Sequence, residues 1–282
     1  MEEKFRATAI HLVPEVATLI MAGILATAVL ESKMEVEAIT AFPETPTGAT
    51  LNMTMFVAIM AVIATVMYLL VKHGLERIFR LILKIAIVAV LFALVNWYAE
   101  AFLAILRAPI DLAAGATFTS SLVLTAALAY AINFTRGATQ VVAVTFLGAM
   151  LGTFLGASIP TLTTIILLLG LVCYDILAVF KGPIGKIAEK TDLENLSGAT
   201  LTFGDLTVGL GDLVFYSMLA SHALFTFGLI SYVAASIGVI IGTFLGFKML
   251  EKRSTFPGLP LSLICGLGIL ALTILLQHGL SL

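Results

Sequence analysis

Nine apolar runs, each long enough to cross a bilayer, occupy most of this chain and leave few folds open to it. Crossing about 30 Å of hydrocarbon takes roughly 20 helical residues. Windows between charged or Pro/Gly breaks predict spans near 8–30, 51–71, 80–99, 112–134, 140–158, 161–180, 206–222, 228–248 and 258–279. Inside lipid every backbone amide and carbonyl must be bonded within its own segment, so such runs are helices by default. Composition agrees. Hydrophobic residues make up 60% of the 282 and charged residues 11%, against roughly 25% charged in a soluble domain, and mean hydropathy is +1.12. The expected fold class is an all-α polytopic membrane protein, one membrane domain over 1–282, with the lipid bilayer as its first partner.

The N-terminus resembles a signal peptide in two respects. Lys4 and Arg6 precede the first apolar stretch, and Ala26-Thr27-Ala28 has the small-residue pattern of a cleavage site. The stretch from Ala7 to Leu30 is longer than a usual signal-peptide core, and Pro14-Glu15 interrupts it early. A retained first helix is expected.

Orientation follows from Lys and Arg, which accumulate on the cytoplasmic side. With the N-terminus in the cytoplasm, 13 of the 15 cationic residues fall on that side, and only Lys33 and Arg107 face outward. The first external loop is acidic, with Glu31, Glu35, Glu37 and Glu44. An odd number of spans then places the C-terminus outside. The expected location is the cell membrane, multi-pass.

Several functions find no support. No basic run exceeds the Lys252-Arg253 pair, so no nucleic-acid partner is expected. Cys173 and Cys265 both lie in apolar segments, and the four histidines make no ligand spacing, so no disulfide framework, metal or cofactor is expected. A zinc-protease His-Glu-x-x-His and a rhomboid-like Gly-x-Ser-Gly are absent from the sequence.

Two connections carry content. Residues 31–50, with Pro43 and Pro46, form an external loop without period. Residues 181–205 form the longest cytoplasmic connection. Gly182-Pro183 ends the sixth span, and Ile184, Ile187 and Ala188 alternate with Lys186, Glu189 and Lys190 as in a short amphipathic helix. Thr200-Leu201-Thr202-Phe203 follows, β-prone and bracketed by glycines. Spans five and eight each repeat small residues at four-residue spacing: Gly148, Gly152, Gly156 and Gly238, Gly242, Gly246. Close helix packing is the expected use.

Most acidic residues sit in loops or at helix ends, but Asp175 and Asp212 do not. Asp175 is embedded in Tyr-Asp-Ile-Leu-Ala and Asp212 in Gly-Leu-Gly-Asp-Leu-Val. An acid inside a span costs several kcal/mol and is a functional candidate for that reason. Asp175 lies six residues before Lys181, and Asp212 six residues after a helix start near 206. At 1.5 Å per residue both sit roughly 9 Å inside the cytoplasmic boundary. Consecutive antiparallel helices packed side by side would bring the carboxylates face to face. Such a pair shares a proton, so that one acid takes a proton from water while the other polarises a carbonyl. Spacing alone fits an aspartic protease and a proton-coupled transporter equally. Asp205 reads as an interfacial anion at the helix start, suited to the helix dipole.

The neighbours of these acids add a resemblance. Tyr174-Asp175, then Gly209-Leu210-Gly211-Asp212, resemble the Tyr-Asp and Gly-x-Gly-Asp motifs of the presenilin and signal-peptide-peptidase superfamily. The last span opens with Pro257-Gly258-Leu259-Pro260, similar to that family's Pro-Ala-Leu motif with glycine in place of alanine. The charge bias matches the presenilin branch, and the compact chain looks most like a prokaryotic, archaeal presenilin homologue. The resemblance implies a presenilin-like nine-span fold and an intramembrane aspartyl protease with Asp175 and Asp212 as its catalytic acids. It implies that Gly209, Leu210 and Gly211 let a substrate backbone approach, that Pro257, Gly258 and Leu259 border the site, and that Tyr174 packs beside the pair. Implied substrates are single-span transmembrane proteins or leftover signal peptides, and no partner subunit is required. The short connection between the aspartate helices argues against the self-cleavage of the family's long loop. A helical substrate must also unwind before it is cut, and the segment around Thr202 is expected to lend it a strand edge.

Overall fold

The computed structural model describes residues 6–107, 110–181, 200–203, 206–251 and 257–280. Among them are nine helices long and apolar enough to cross a membrane. They are α1 (Val13–Ser32, preceded by the 3-10 turn Ala9–Leu12), α2 (Pro46–Lys72), α3 (Glu76–Leu106), α4 (Ile110–Phe134), α5 (Ala138–Ser158), α6 (Thr161–Lys181), α7 (Leu210–Phe227), α8 (Leu229–Leu250) and α9 (Leu259–Leu280). The nine-helix plan expected from the apolar runs is the one found.

One expected span needs correction. Residues Leu206–Gly209 are not the first turn of a helix but strand β2, paired antiparallel with β1 (Thr200–Phe203) in the register Thr200 to Gly209 and Phe203 to Leu206. Leu-Thr-Val-Gly alternates buried, exposed, buried, as a half-buried strand does. Leu206 and Val208 enter the apolar core beside Leu213 and α5's Val144 and Leu147. The seventh helix therefore begins at Leu210, with Gly209 as its extended N-cap. The proposed amphipathic helix over 184–190, and Asp205 itself, lie outside the described residues.

The helices do not pack in chain order. α7 lies chiefly along α5, α8 and α1, while α6 meets it over a short stretch and packs mainly on α2 and α9. The two aspartate helices thus share only a short contact, and the start of α9 reaches both of their acids. Two rows of glycine make the close contacts. On α5, Gly148, Gly152 and Gly156 face Leu213, Ser217 and Ser221 of α7, and an added Cβ at Gly148 would stand 2.9 Å from that of Leu213. The bared carbonyls accept hydrogen bonds: Ser217 Oγ donates to Gly148 O at 2.9 Å, and His222 Nδ1 lies 2.8 Å from Gly156 O. On α8, Gly238 lies so close to α9 that a Cβ would stand 2.6 Å from Cys265 O. Without water in the bilayer, such close packing and interhelical hydrogen bonding are what hold helices together.

At the far end of the bundle from residue 7, the 33–45 segment is fastened at several points. Asn52 bonds both the amide and the carbonyl of Phe42 at 3.0 Å. Ile39 N donates to Ser158 O at 3.0 Å, and Leu162 N donates to Glu44 Oε1 at 3.0 Å. Thr45 caps α2 by accepting from Gly48 N.

Candidate active site

Three chain segments stop or start at one level of the bundle. α6 brings Asp175 there six residues before its end; α7 starts there, with Asp212 in its first turn; α9 starts there at Leu259. Non-helical backbone at membrane depth is tolerated where it is buried in protein or lines a cavity. Here β2, Gly209 and the Pro257-Gly258 pair supply it.

The two acids meet two consecutive residues, one each. Asp175 Oδ2 accepts from the amide of Leu259 at 3.2 Å. On the adjoining side, an added Cβ at Gly258 would stand 2.6 Å from Asp212 Oδ2. Consecutive residues at the start of α9, Gly258 just before it and Leu259 as its first, are thus flanked by carboxylates from two other helices. Both acids are partly buried. Each acid stands at a helix N-terminus, where free amides are at hand: Asp212 at its own helix's start, Asp175 at that of α9.

The Pro-Gly-Leu turn is clamped from behind. Gly258 O accepts from Tyr216 Oη at 3.0 Å and from Ser262 Oγ at 3.1 Å, and Ser262 Oγ lies 2.9 Å from Thr243 Oγ1 of α8. Tyr216 is buried and stands one turn after Asp212. It was not among the expected site residues; the i, i+4 spacing from an intramembrane acid is the signal that points to it.

The other expected residues divide. Gly209 and Leu210 are partly buried at the junction of β2 and α7, and Leu210 packs against both apolar clusters of the core. Gly211 is exposed, and a Cβ there would meet nothing within 4 Å. Pro257 is buried. Leu259 is buried too, within the core formed by Leu263 and α7's Val214 and Phe215, so its amide rather than its side chain faces the acids. Tyr174 is partly buried beside Asp175 in the chain. Thr202 pairs with Thr207 through the hairpin's register, on the strand that approaches α5.

Behind Asp212 lies a cavity of about 80 Å³. Its walls include Asp212, Tyr216, Thr243, Gly258, Thr207 and, from α1, Glu15. Sequence reasoning missed Glu15, which it took only as an interruption of the first apolar run. Among the described residues, no group of three or more His, Cys, Asp or Glu is arranged to hold a metal ion.

An architecture of nine membrane-length helices defines a class of multi-pass membrane protein. Two solved structures share it, each that of a presenilin family intramembrane aspartate protease, one in space group C222 and one in P2. The first is 16% identical in sequence and covers 94% of this chain and 98% of its own, at a TM-score of 0.66. The second, also 16% identical with a TM-score of 0.66, covers 97% of this chain and all of its own. Neither a family model nor a curated protein matches the sequence. The chain has the presenilin-family fold over nearly its whole length.

Proposed function

We propose that this protein is an intramembrane aspartic endopeptidase that hydrolyses peptide bonds of transmembrane substrates, with Asp175 and Asp212 as its acid pair. The observation that carries this reading is the convergence of the two carboxylates, from separate helices, on Gly258 and Leu259. Two acids bracketing one small gap can divide the two tasks of peptide hydrolysis. One, ionised, takes a proton from water as its oxygen attacks the carbonyl carbon. The other, protonated, donates to the carbonyl oxygen. Collapse of the resulting gem-diol breaks the C–N bond as the nitrogen takes up a proton. The motifs Tyr174-Asp175 and Gly209-Leu210-Gly211-Asp212 resemble those of the presenilin family, as does Pro257-Gly258-Leu259 with glycine in place of alanine, which supports the same roles.

Substrates of this enzyme are single-span proteins or signal peptides, unwound near the site. Open space over Gly211 lets an extended backbone approach Asp212. The β1–β2 hairpin offers outer edges to which such a backbone can add as a further strand, β1 with Thr202 at its middle. The pattern of Lys and Arg puts this end of the bundle at the cytoplasmic side of the cell membrane, where water reaches it. No partner subunit is needed for cleavage.

The test is cleavage of a defined single-span substrate by the detergent-solubilised protein, with and without a transition-state inhibitor of aspartic proteases. Cleavage that the inhibitor stops supports the reading. Uptake of a solute into liposomes, with the substrate left whole, identifies a transporter that uses the same acids.

A further inference from the structure

Glu15 is the one acidic side chain in the fully buried class among the described residues, 1% exposed, and neither of its carboxyl oxygens has a hydrogen-bond partner. It stands in the first turn of α1, directly after Pro14, and lines the cavity behind Asp212. A buried acid without a partner is costly. The cavity's volume of about 80 Å³ exceeds the roughly 10–15 Å³ needed to hold one water. The walls present two carboxyls and the Tyr216, Thr243 and Thr207 hydroxyls to any such water. Tyr216 donates to Gly258 O and Thr243 to Val239 O. A carboxyl gives up its proton far more readily than a hydroxyl, so the two carboxyls are the groups suited to exchange one.

We infer that Glu15 is a positioning residue for Asp212, exchanging a proton with it through water held in this cavity. The inference rests on the protease reading above. In the step, the O–H of protonated Asp212 breaks as its proton passes to a cavity water, and one of that water's own protons forms an O–H on the Glu15 carboxylate. The negative charge moves from Glu15 to Asp212, and the reverse step restores both. Asp212 can thereby be reset between turnovers without opening the site.

Titratable groups on elements packed against α1 have partners of their own: His11 Nδ1 of the 3-10 turn lies 2.9 Å from Thr8 Oγ1, and His222 Nδ1 of α7 lies 2.8 Å from Gly156 O. α5 has none over its length, and on α3 Tyr98 donates to Met150 O at 2.9 Å. From α7, Asp212 and Tyr216 face the cavity. On α8, Tyr232 donates to Leu19 O at 2.6 Å, and Lys248 pairs with Glu251 at 2.8 Å.

The experiment measures cleavage of a single-span substrate across pH by the wild-type protein, Glu15→Gln, Glu15→Asp and Asp175→Asn. Glu15→Gln keeps size and polarity but cannot exchange a proton, so its pH profile of kcat moves by about one unit. KM changes less than about twofold, because the residue does not touch substrate. Glu15→Asp recovers most of the wild-type profile. A Glu15→Gln profile that overlays the wild type overturns the inference, while inactive Asp175→Asn keeps the protease reading intact. If the wild-type protein does not cleave, both fall together. Should Glu15→Gln fail to fold, infrared difference titration of wild type against Asp212→Asn decides instead. A second buried carboxyl whose titration shifts when Asp212 is neutralised supports the coupling; one that does not shift overturns it.

Discussion

The amide of Leu259 donates to Asp175 Oδ2 at 3.2 Å, so an acid on α6 is held by the N-terminus of α9. Proline at the first helical position leaves a helix intact while removing its amide. Leu259→Pro therefore deletes this bond, and Leu259→Ala controls for the lost side chain. A hydrogen bond to a charged group contributes about 1.5–3 kcal/mol, so cleavage by Leu259→Pro is expected to fall at least about tenfold below that of Leu259→Ala. Steady-state rates on one substrate make the comparison.

Gly211 has open space where a Cβ would point, and it is exposed. Nothing inside the protein requires glycine there. Gly211→Val should leave expression, monodispersity and Tm near wild type while cutting cleavage by about tenfold or more through the substrate's lost approach. Equal cleavage by the variant would show that no substrate backbone comes this close.

Gly152 is a different case. An added Cβ would run into Ser217 Oγ and the carbonyl of Val214. Gly152→Ala is expected to cost about 1–3 kcal/mol as overpacking, seen as a lower Tm in detergent. Gly268→Ala on α9 meets nothing within 4 Å and should be neutral or mildly stabilising.

Past the end of α8, Glu251 Oε1 accepts from Lys248 Nζ at 2.8 Å and from the amide of Ala7 at 2.8 Å. The Lys248 hydrogen bond first, and the Ala7 amide second, hold this carboxyl below its ordinary 4.5. A lowered folded value means the contribution is present above 4.5 and is lost as pH falls through the lower folded value. Hydrogen exchange at the Ala7 amide should therefore quicken, relative to neighbouring amides, only below pH 4.5. In Glu251→Gln the relative rate should be raised at all pH values.

Much of this architecture is legible in the residues because lipid imposes a simple rule of length and hydropathy. The Gly148 and Gly238 rows could be read as packing faces from spacing, and Asp175 and Asp212 stand out as acids among apolar neighbours. Strand β2 could not be read so easily. Leu206-Thr207-Val208 is as apolar as a span's edge, and only pairing with Thr200–Phe203 makes it a strand. Which helix lies beside which is also hidden, since adjacency along the chain does not dictate it; the part that the start of α9 plays beside both acids is not legible in the residues. Glu15 was obscured by its place after Pro14, where the pair looks like an interruption of the first apolar run. Its burial comes from the packing of α1 on α7 and α8, a tertiary fact.

The central claim, that Asp175 and Asp212 act as one unit, is tested most directly by a double-mutant cycle on cleavage of a single-span substrate. General acid–base groups of this kind contribute about 10²–10⁴-fold each, and residues acting as a unit lose activity non-additively. Asp175→Asn and Asp212→Asn are each expected to lose at least about 100-fold, and the double variant no more than either alone. A single variant that keeps most of its activity, or losses that multiply in the double variant, would contradict it.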